Sequence, residues 1–228
     1  MSYVIHTIRL ALPLNMSVVN CYLLETGTGY VLIDTGGPNK RGALLRALEG
    51  AGCAPGDLRL VVLTHGDFDH SGNAAHLRRA FSSLVAMHPS DAPAVERGDM
   101  FGNRKKGNLL FRALTSLLFR FGRRDRFTPD IRDEDGYPLS AFGLDAREVC
   151  MPGHSPGSIG VLTAAGDLFC GDLFTNDDAP ALNALMDDVA AAEASLARLE
   201  CLEIGTVYPG HGQPFAMEQF FQIDRQPE

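Results

Sequence analysis

The stretch Leu58-Arg59-Leu60-Val61-Val62-Leu63-Thr64-His65-Gly66-Asp67-Phe68-Asp69-His70 decides the reading of this chain. Leu58 to Leu63 is an apolar run of strand length, the pattern of a buried strand. Directly after it, four residues able to bind a metal fall within six positions: His65, Asp67, Asp69 and His70. Two carboxylates and two imidazoles this dense are costly at the end of a core strand unless a cation neutralises them.

Working outward, three further residues have the same surroundings, an apolar stretch followed by a glycine-bearing turn. His154 lies in Met151-Pro152-Gly153-His154-Ser155-Pro156-Gly157-Ser158. Asp172 lies in Phe169-Cys170-Gly171-Asp172, and His211 in Tyr208-Pro209-Gly210-His211-Gly212. Glycine permits tight turns and close backbone approach. A lone histidine beside glycine is weak evidence; the ordered series is strong.

The rest of the chain alternates strand and helix signals. Val4 to Leu10, Asn20 to Glu25, Tyr30 to Asp34 and Leu84 to Met87 read as strands, with helices from Lys40 to Gly50 and from near Ser71. After a change of character over 90–128, strands resume at Leu139 to Phe142, Glu148 to Met151, Ser158 to Thr163, Leu168 to Cys170 and Thr206 to Tyr208. A helix from Asp187 to Leu202 precedes the last. Two β-then-α halves without an internal repeat or linker point to a single α/β domain over 1–228, with two sheets face to face and helices outside.

With these motifs in order, the chain resembles the metallo-β-lactamase superfamily of metallohydrolases over nearly its whole length, from the Asp34-Thr35-Gly36 turn to Pro209-Gly210-His211-Gly212. The resemblance implies an αββα four-layer sandwich of two mixed sheets, with the metal site at one edge. The usual first motif is T-H-x-H-x-D-H, and here Asp67 stands for its second histidine. By that resemblance one metal takes His65, Asp67 and His154, a second takes Asp69, His70 and His211, and Asp172 bridges both. Thr64 and Asp34 resemble the supporting residues that orient ligands. Asp69 and Asp172 are the candidate catalytic carboxylates, Asp69 orienting the attacking water or shuttling its proton.

Imidazole and carboxylate donors with open positions suit zinc, iron or manganese. Zinc is the first expectation for the two divalent ions, and Asp67 admits iron or manganese. Two ions, three carboxylates and one hydroxide sum to zero formal charge, one less than with a histidine at 67. Three readings of Asp67 stay open: a ligand of the first metal, a side chain too short to reach it so that only the second is tightly held, or the mark of a site that binds none.

Apolar content of 45% with 21% charged residues is globular, and no apolar run approaches the roughly 18–20 residues that span a bilayer. Five scattered cysteines without a C-x-x-C read as reduced thiols, and Met1 to Leu10 alternates like a strand rather than a secretory signal, so a cytoplasmic location is expected. A net charge of −8 argues against nucleic acid. The charge is uneven: from Glu96 to Arg126 nine Lys/Arg face three Asp/Glu, leaving +6 there and −14 elsewhere. That basic region is either a solvated helical connection or a lid drawing an anionic substrate to the site, with Arg104, Lys105 and Lys106 its densest point. The apolar face of a helix from Leu109 to Phe121 would pack on the domain, cover an acyl cleft or make a homodimer contact; stable membrane anchoring is not expected. His6, His76 and His88 lie outside the motifs and read as structural.

The expected activity is hydrolysis of an ester-like bond (thioester, lactone or phosphoester) in a small anionic substrate by metal-activated hydroxide. Within that resemblance the glyoxalase II type, which carries a C-terminal helical glutathione-binding domain, is not expected with 17 residues after His211. The alternatives are an oxygen- or sulfur-oxidising non-haem iron enzyme on the same fold, and a non-catalytic ligand-binding member of it.

Overall fold

The computed structural model describes residues 2–12, 17–101, 104 and 122–224. Five strands form one side: β1 (Val4–Ala11), β2 (Val18–Thr26), β3 (Gly29–Ile33), β4 (Leu58–Leu63) and β5 (Leu84–Met87), side by side in that order. The β1–β2 and β2–β3 pairs are antiparallel, and the β3–β4 and β4–β5 pairs are parallel. The other side comprises β6 (Ala146–Cys150), β7 (Ile159–Thr163), β8 (Asp167–Asn176), β9 (Ala181–Leu182), β10 (Thr206–Gly212) and β11 (Phe215–Ala216). Its main order is β10-β8-β7-β6. The two halves are joined where His211 of β10 pairs with Val19 of β2, so the sheet curls over on itself.

Three apolar clusters show the layers. Tyr22, Leu24, Val31, Ile33, Leu60 and Val62 meet Ile159, Val161 and Phe169 between the two halves. The outer face of the first half carries Cys21, Leu23, Leu58, Val61 and Leu63. On it pack α1 (Arg41–Gly50), α3 (Ala74–Phe81) and α4 (Ala92–Arg97), with the short α2 (Phe68–Ser71) preceding α3. The second half is covered by α5 (Val189–Leu199) and α6 (Met217–Asp224) through Ala192, Leu199, Met217 and Phe220. This is the αββα sandwich. Because β4 faces apolar layers on both sides, its sequence is a run rather than an alternation. Each fully buried aliphatic side chain contributes about 1.5–3 kcal/mol.

Two local expectations are corrected. Leu139 to Phe142 is not a strand: Ser140–Phe142 is a single 3-10 turn closed by Gly143 at φ +78°. Leu139 and Leu144 both join the central cluster, and an odd separation would send them to opposite faces of a strand, so the chain must turn between them. The helix expected near Ser71 begins inside the motif, at Phe68, because the extended Asp67 carbonyl accepts from the His70 and Ser71 amides. The helix expected over 109–121 lies outside the described residues. Among the described residues no helix is long and apolar enough to cross a membrane.

Candidate metal centre

The seven motif residues leave four different chain segments and converge where the two halves of the sheet meet. β4 ends at Leu63, placing His65 on the following turn and Asp69 and His70 on the first turn of α2. His154 comes from the loop between β6 and β7, Asp172 lies within β8, and His211 lies in β10. The Ile159 amide donates to the Thr64 carbonyl at 2.8 Å, tying the halves together beside the site. Asp91 accepts from the Gly66 and Gly157 amides at 2.9 Å and from the Ser155 hydroxyl at 2.7 Å, which braces the first motif against the His154 loop.

Each histidine is held by Nδ1 so that Nε2 turns inward. His70 donates to Asp34 Oδ2 at 2.8 Å, His154 to the Leu185 carbonyl at 2.8 Å, and His211 to the Val18 carbonyl at 2.8 Å. Thr64 Oγ1 lies 3.0 Å from His65 Nδ1 and donates to Asp34 Oδ2 at 2.8 Å, leaving a lone pair for the imidazole. Asp34 therefore orients two histidines, directly and through Thr64. It does so from a left-handed backbone, φ +59°, a conformation aspartate tolerates better than most side chains.

The inward atoms form two trios. One donor atom each from His65, His154 and Asp172 lies within 4.8 Å of the others, and the same holds for Asp69, His70 and His211. Asp172 Oδ1 is 3.3 Å from His70 Nε2, and its Oδ2 is 3.5 Å from His211 Nε2 and 3.8 Å from His154 Nε2. Asp69 Oδ2 is 3.6 Å from His211 Nε2. Asp67 belongs to neither trio, yet its Oδ2 reaches 3.2 Å from His154 Nε2 and 3.6 Å from His65 Nε2. His65 Nε2, His70 Nε2 and Asp172 Oδ1 are buried and make no hydrogen bond. Orphaned acceptors in the interior are expensive, and a shared cation would satisfy them. The residues present thus fit a metal pair.

The electrostatics describe the same balance of charge. Burial opposes ionisation of Asp172, but His211 and His70 hold it well below the usual carboxylate range. Asp67 is likewise held low against its burial, chiefly by the Arg104 guanidinium and then by His154 and His65. Asp69 is pushed up by burial and by Asp172. Although burial lowers it, His211 rises to about 9 because Asp172 faces it. Divalent ions would take the place of the protons these pairs share.

The structure brings together every residue singled out from the sequence for the site, and supports them with Thr64 and Asp34. His6 instead pairs with Glu25 on the surface, His76 lies on α3, and His88 accepts from the Ser90 amide. Sequence reasoning did not find the Val18 and Leu185 carbonyls, Asp91, or the inward role of Arg104. No residue type marks a backbone carbonyl, and Arg104 reads as one of a run of surface charges.

Fold and site together define a class: an αββα sandwich with a buried cluster of donor groups able to hold metal where its sheets join. The chain belongs to the metallo-beta-lactamase superfamily, which it matches over residues 14–211. Metallo-beta-lactamase domain-containing protein 1 of Homo sapiens is 34% identical over 199 residues, 85% of this chain and 62% of that protein. Hydroxyacylglutathione hydrolase GloC of Haemophilus influenzae is 28% identical over 155 residues, 66% of this chain and 64% of that protein. The chain spans less than two thirds of the length of either relative. Among solved structures, TTHA1623 in a di-iron-bound form aligns with a TM-score of 0.70 at 28% identity, covering 92% of this chain and 95% of that one.

Proposed function

We propose that this chain is a binuclear metallohydrolase that cleaves a thioester of a small anionic acyl compound. The observation that carries the reading is the pair of facing donor trios, each with Nε2 atoms turned inward and Asp172 between them. His65, Asp67, His154 and Asp172 would hold one ion, and Asp69, His70, His211 and Asp172 the other. When bound, the ions supply Lewis acidity at the scissile carbonyl and an activated water. Asp69, whose Oδ2 lies 3.6 Å from His211 Nε2 among the inward donor atoms, is placed to orient that water and accept its hydrogen bond. Asp34 and Thr64 keep the imidazoles in the ligating tautomer. The thioester choice is supported by the hydroxyacylglutathione hydrolase among the relatives. Zinc remains the first candidate, and the di-iron form of a similar structure keeps iron beside it.

The test is turnover of a hydroxyacyl-glutathione thioester, a lactone and a phosphoester by metal-reconstituted protein, before and after chelation. Chelator-sensitive thioester hydrolysis is expected, abolished in Asp69→Ala and His211→Ala and retained in His76→Ala. Equal activity in all three variants would overturn the site. Iron content with oxygen consumption and no hydrolysis would replace the hydrolase with an oxidising enzyme.

A further inference from the structure

Arg104 is the residue the metal reading leaves unused. It belongs to the basic stretch, yet its side chain is only 9% exposed and points into the site. One terminal nitrogen, Nη2, pairs with Asp67 Oδ1, and the other, Nη1, donates to the His154 carbonyl. Nη2 also lies 3.4 Å from His154 Nε2, one of the inward-facing donor atoms. Nε is buried without a hydrogen-bond partner. The guanidinium is therefore spent on the protein and is not displayed to a substrate. The two oxygens of Asp67 are divided: Oδ1 faces Arg104, while Oδ2 faces the inner nitrogens of His65 and His154.

Resting on the metal-centre reading, we propose that Arg104 and Asp67 act as one unit that replaces a neutral histidine and sets the affinity and selectivity of the first metal position. An imidazole ligand is neutral, whereas an aspartate adds a negative charge. Arg104 returns that charge at the same place, so the pair contributes none. The guanidinium also occupies one oxygen, which restrains Asp67 to binding an ion through the other. Arg104 is thus a positioning residue for the metal and not a group that touches substrate.

The unit makes the two side chains interdependent. In Asp67→His alone, a buried guanidinium loses its contacting carboxylate and is left against an imidazole and a divalent cation, with Asp91 and Asp187 offsetting it less than Asp67 does. In Arg104→Met alone, the carboxylate regains its full charge and both oxygens, which favours hard ions such as Mn²⁺. Changing both together restores neutrality.

A double-mutant cycle read by metal binding tests this, using competition of Zn²⁺ and Mn²⁺ against a chromophoric chelator. The step belonging to the first position is assigned by its loss in His65→Ala. Arg104→Met is expected to bind Mn²⁺ there at least tenfold more tightly than the parent. Asp67→His is expected to bind Zn²⁺ there at least tenfold more weakly than Asp67→His/Arg104→Met. Arg104→Lys, which keeps the charge, should stay within a few-fold of the parent, with thermal melting verifying that each variant folds. Additive effects in the cycle, or a lysine variant that behaves like the methionine one, would overturn the pairing while leaving the two-metal reading intact. A parent protein that binds no ion would overturn both.

Discussion

Replacing Asp34 with asparagine tests how the site is oriented without changing any proposed ligand. Asp34 accepts three hydrogen bonds: Oδ1 from the Thr64 amide at 2.9 Å, and Oδ2 from Thr64 Oγ1 and His70 Nδ1, each at 2.8 Å. An amide of the same shape offers only one oxygen. If that oxygen stays on the Thr64 amide, the new NH₂ faces His70 Nδ1, which must give up its proton and become the acceptor. The proton then moves to Nε2, the atom facing Asp172 Oδ1 at 3.3 Å, and a protonated nitrogen cannot ligate. If the amide flips, its NH₂ opposes the buried Thr64 amide and strands that donor, at a cost of about 1–3 kcal/mol. Asparagine tolerates the left-handed backbone at φ +59°, so strain does not confuse the result. Loss of such a supporting partner lowers metal affinity about 10–100-fold, or about 1.4–2.7 kcal/mol. Chelator competition should show that weakening, and because the flanking carboxylates keep apo His70 protonated on both nitrogens, ring-nitrogen NMR of the zinc-loaded form should show that His70 Nδ1 no longer carries the proton. Affinity within twofold of the parent, with an unchanged tautomer, would refute the assignment of Asp34 as the residue that aims His70.

Gly210→Ala should fold but lose metal, because the added methyl would run into Asp172 Oδ1 and lie 2.7 Å from His70 Cε1; unchanged metal content in the variant would contradict the close packing of these groups. Glu148, almost fully buried on β6 with Oε1 unpartnered, is raised by burial and by Asp133 from 4.5 to about 7. The folded protein therefore holds this proton more tightly than the unfolded chain, so stability is lost as pH rises from about 4.5 to about 7. Glu148→Gln should relieve up to about 3 kcal/mol at pH 8 and nearly nothing near pH 4.5, measured by denaturant melts; the same change at both pH values would count against it.

The sandwich was legible in Leu58–Leu63 because burial on both faces leaves a run of apolar residues, and the cluster because ligands are rare residue types beside glycine turns. Leu139 misled because one leucine in a short run does not reveal whether the next core residue is reached by a strand or a turn. The site's donors could be read, but not what aims them. Val18 and Leu185 act through carbonyls that every residue carries, and Asp91 braces Ser155 from 64 positions away. Arg104 lies 37 positions from Asp67 within a charge run. A solvated lysine or arginine stretch and a buried counter-ion look alike in sequence, since only the fold determines which guanidinium turns inward.

The central claim is that two metal positions share Asp172. Elemental analysis of the protein, stripped and then reconstituted with zinc or anaerobically with iron, gives the number of ions per chain. Two equivalents are predicted for the parent, at most one for His65→Ala and for His70→Ala, and a lower melting temperature after chelation, since ions that bind only the folded state stabilise it. A parent chain that takes up no ion, or only one, with melting indifferent to chelation, would contradict the account.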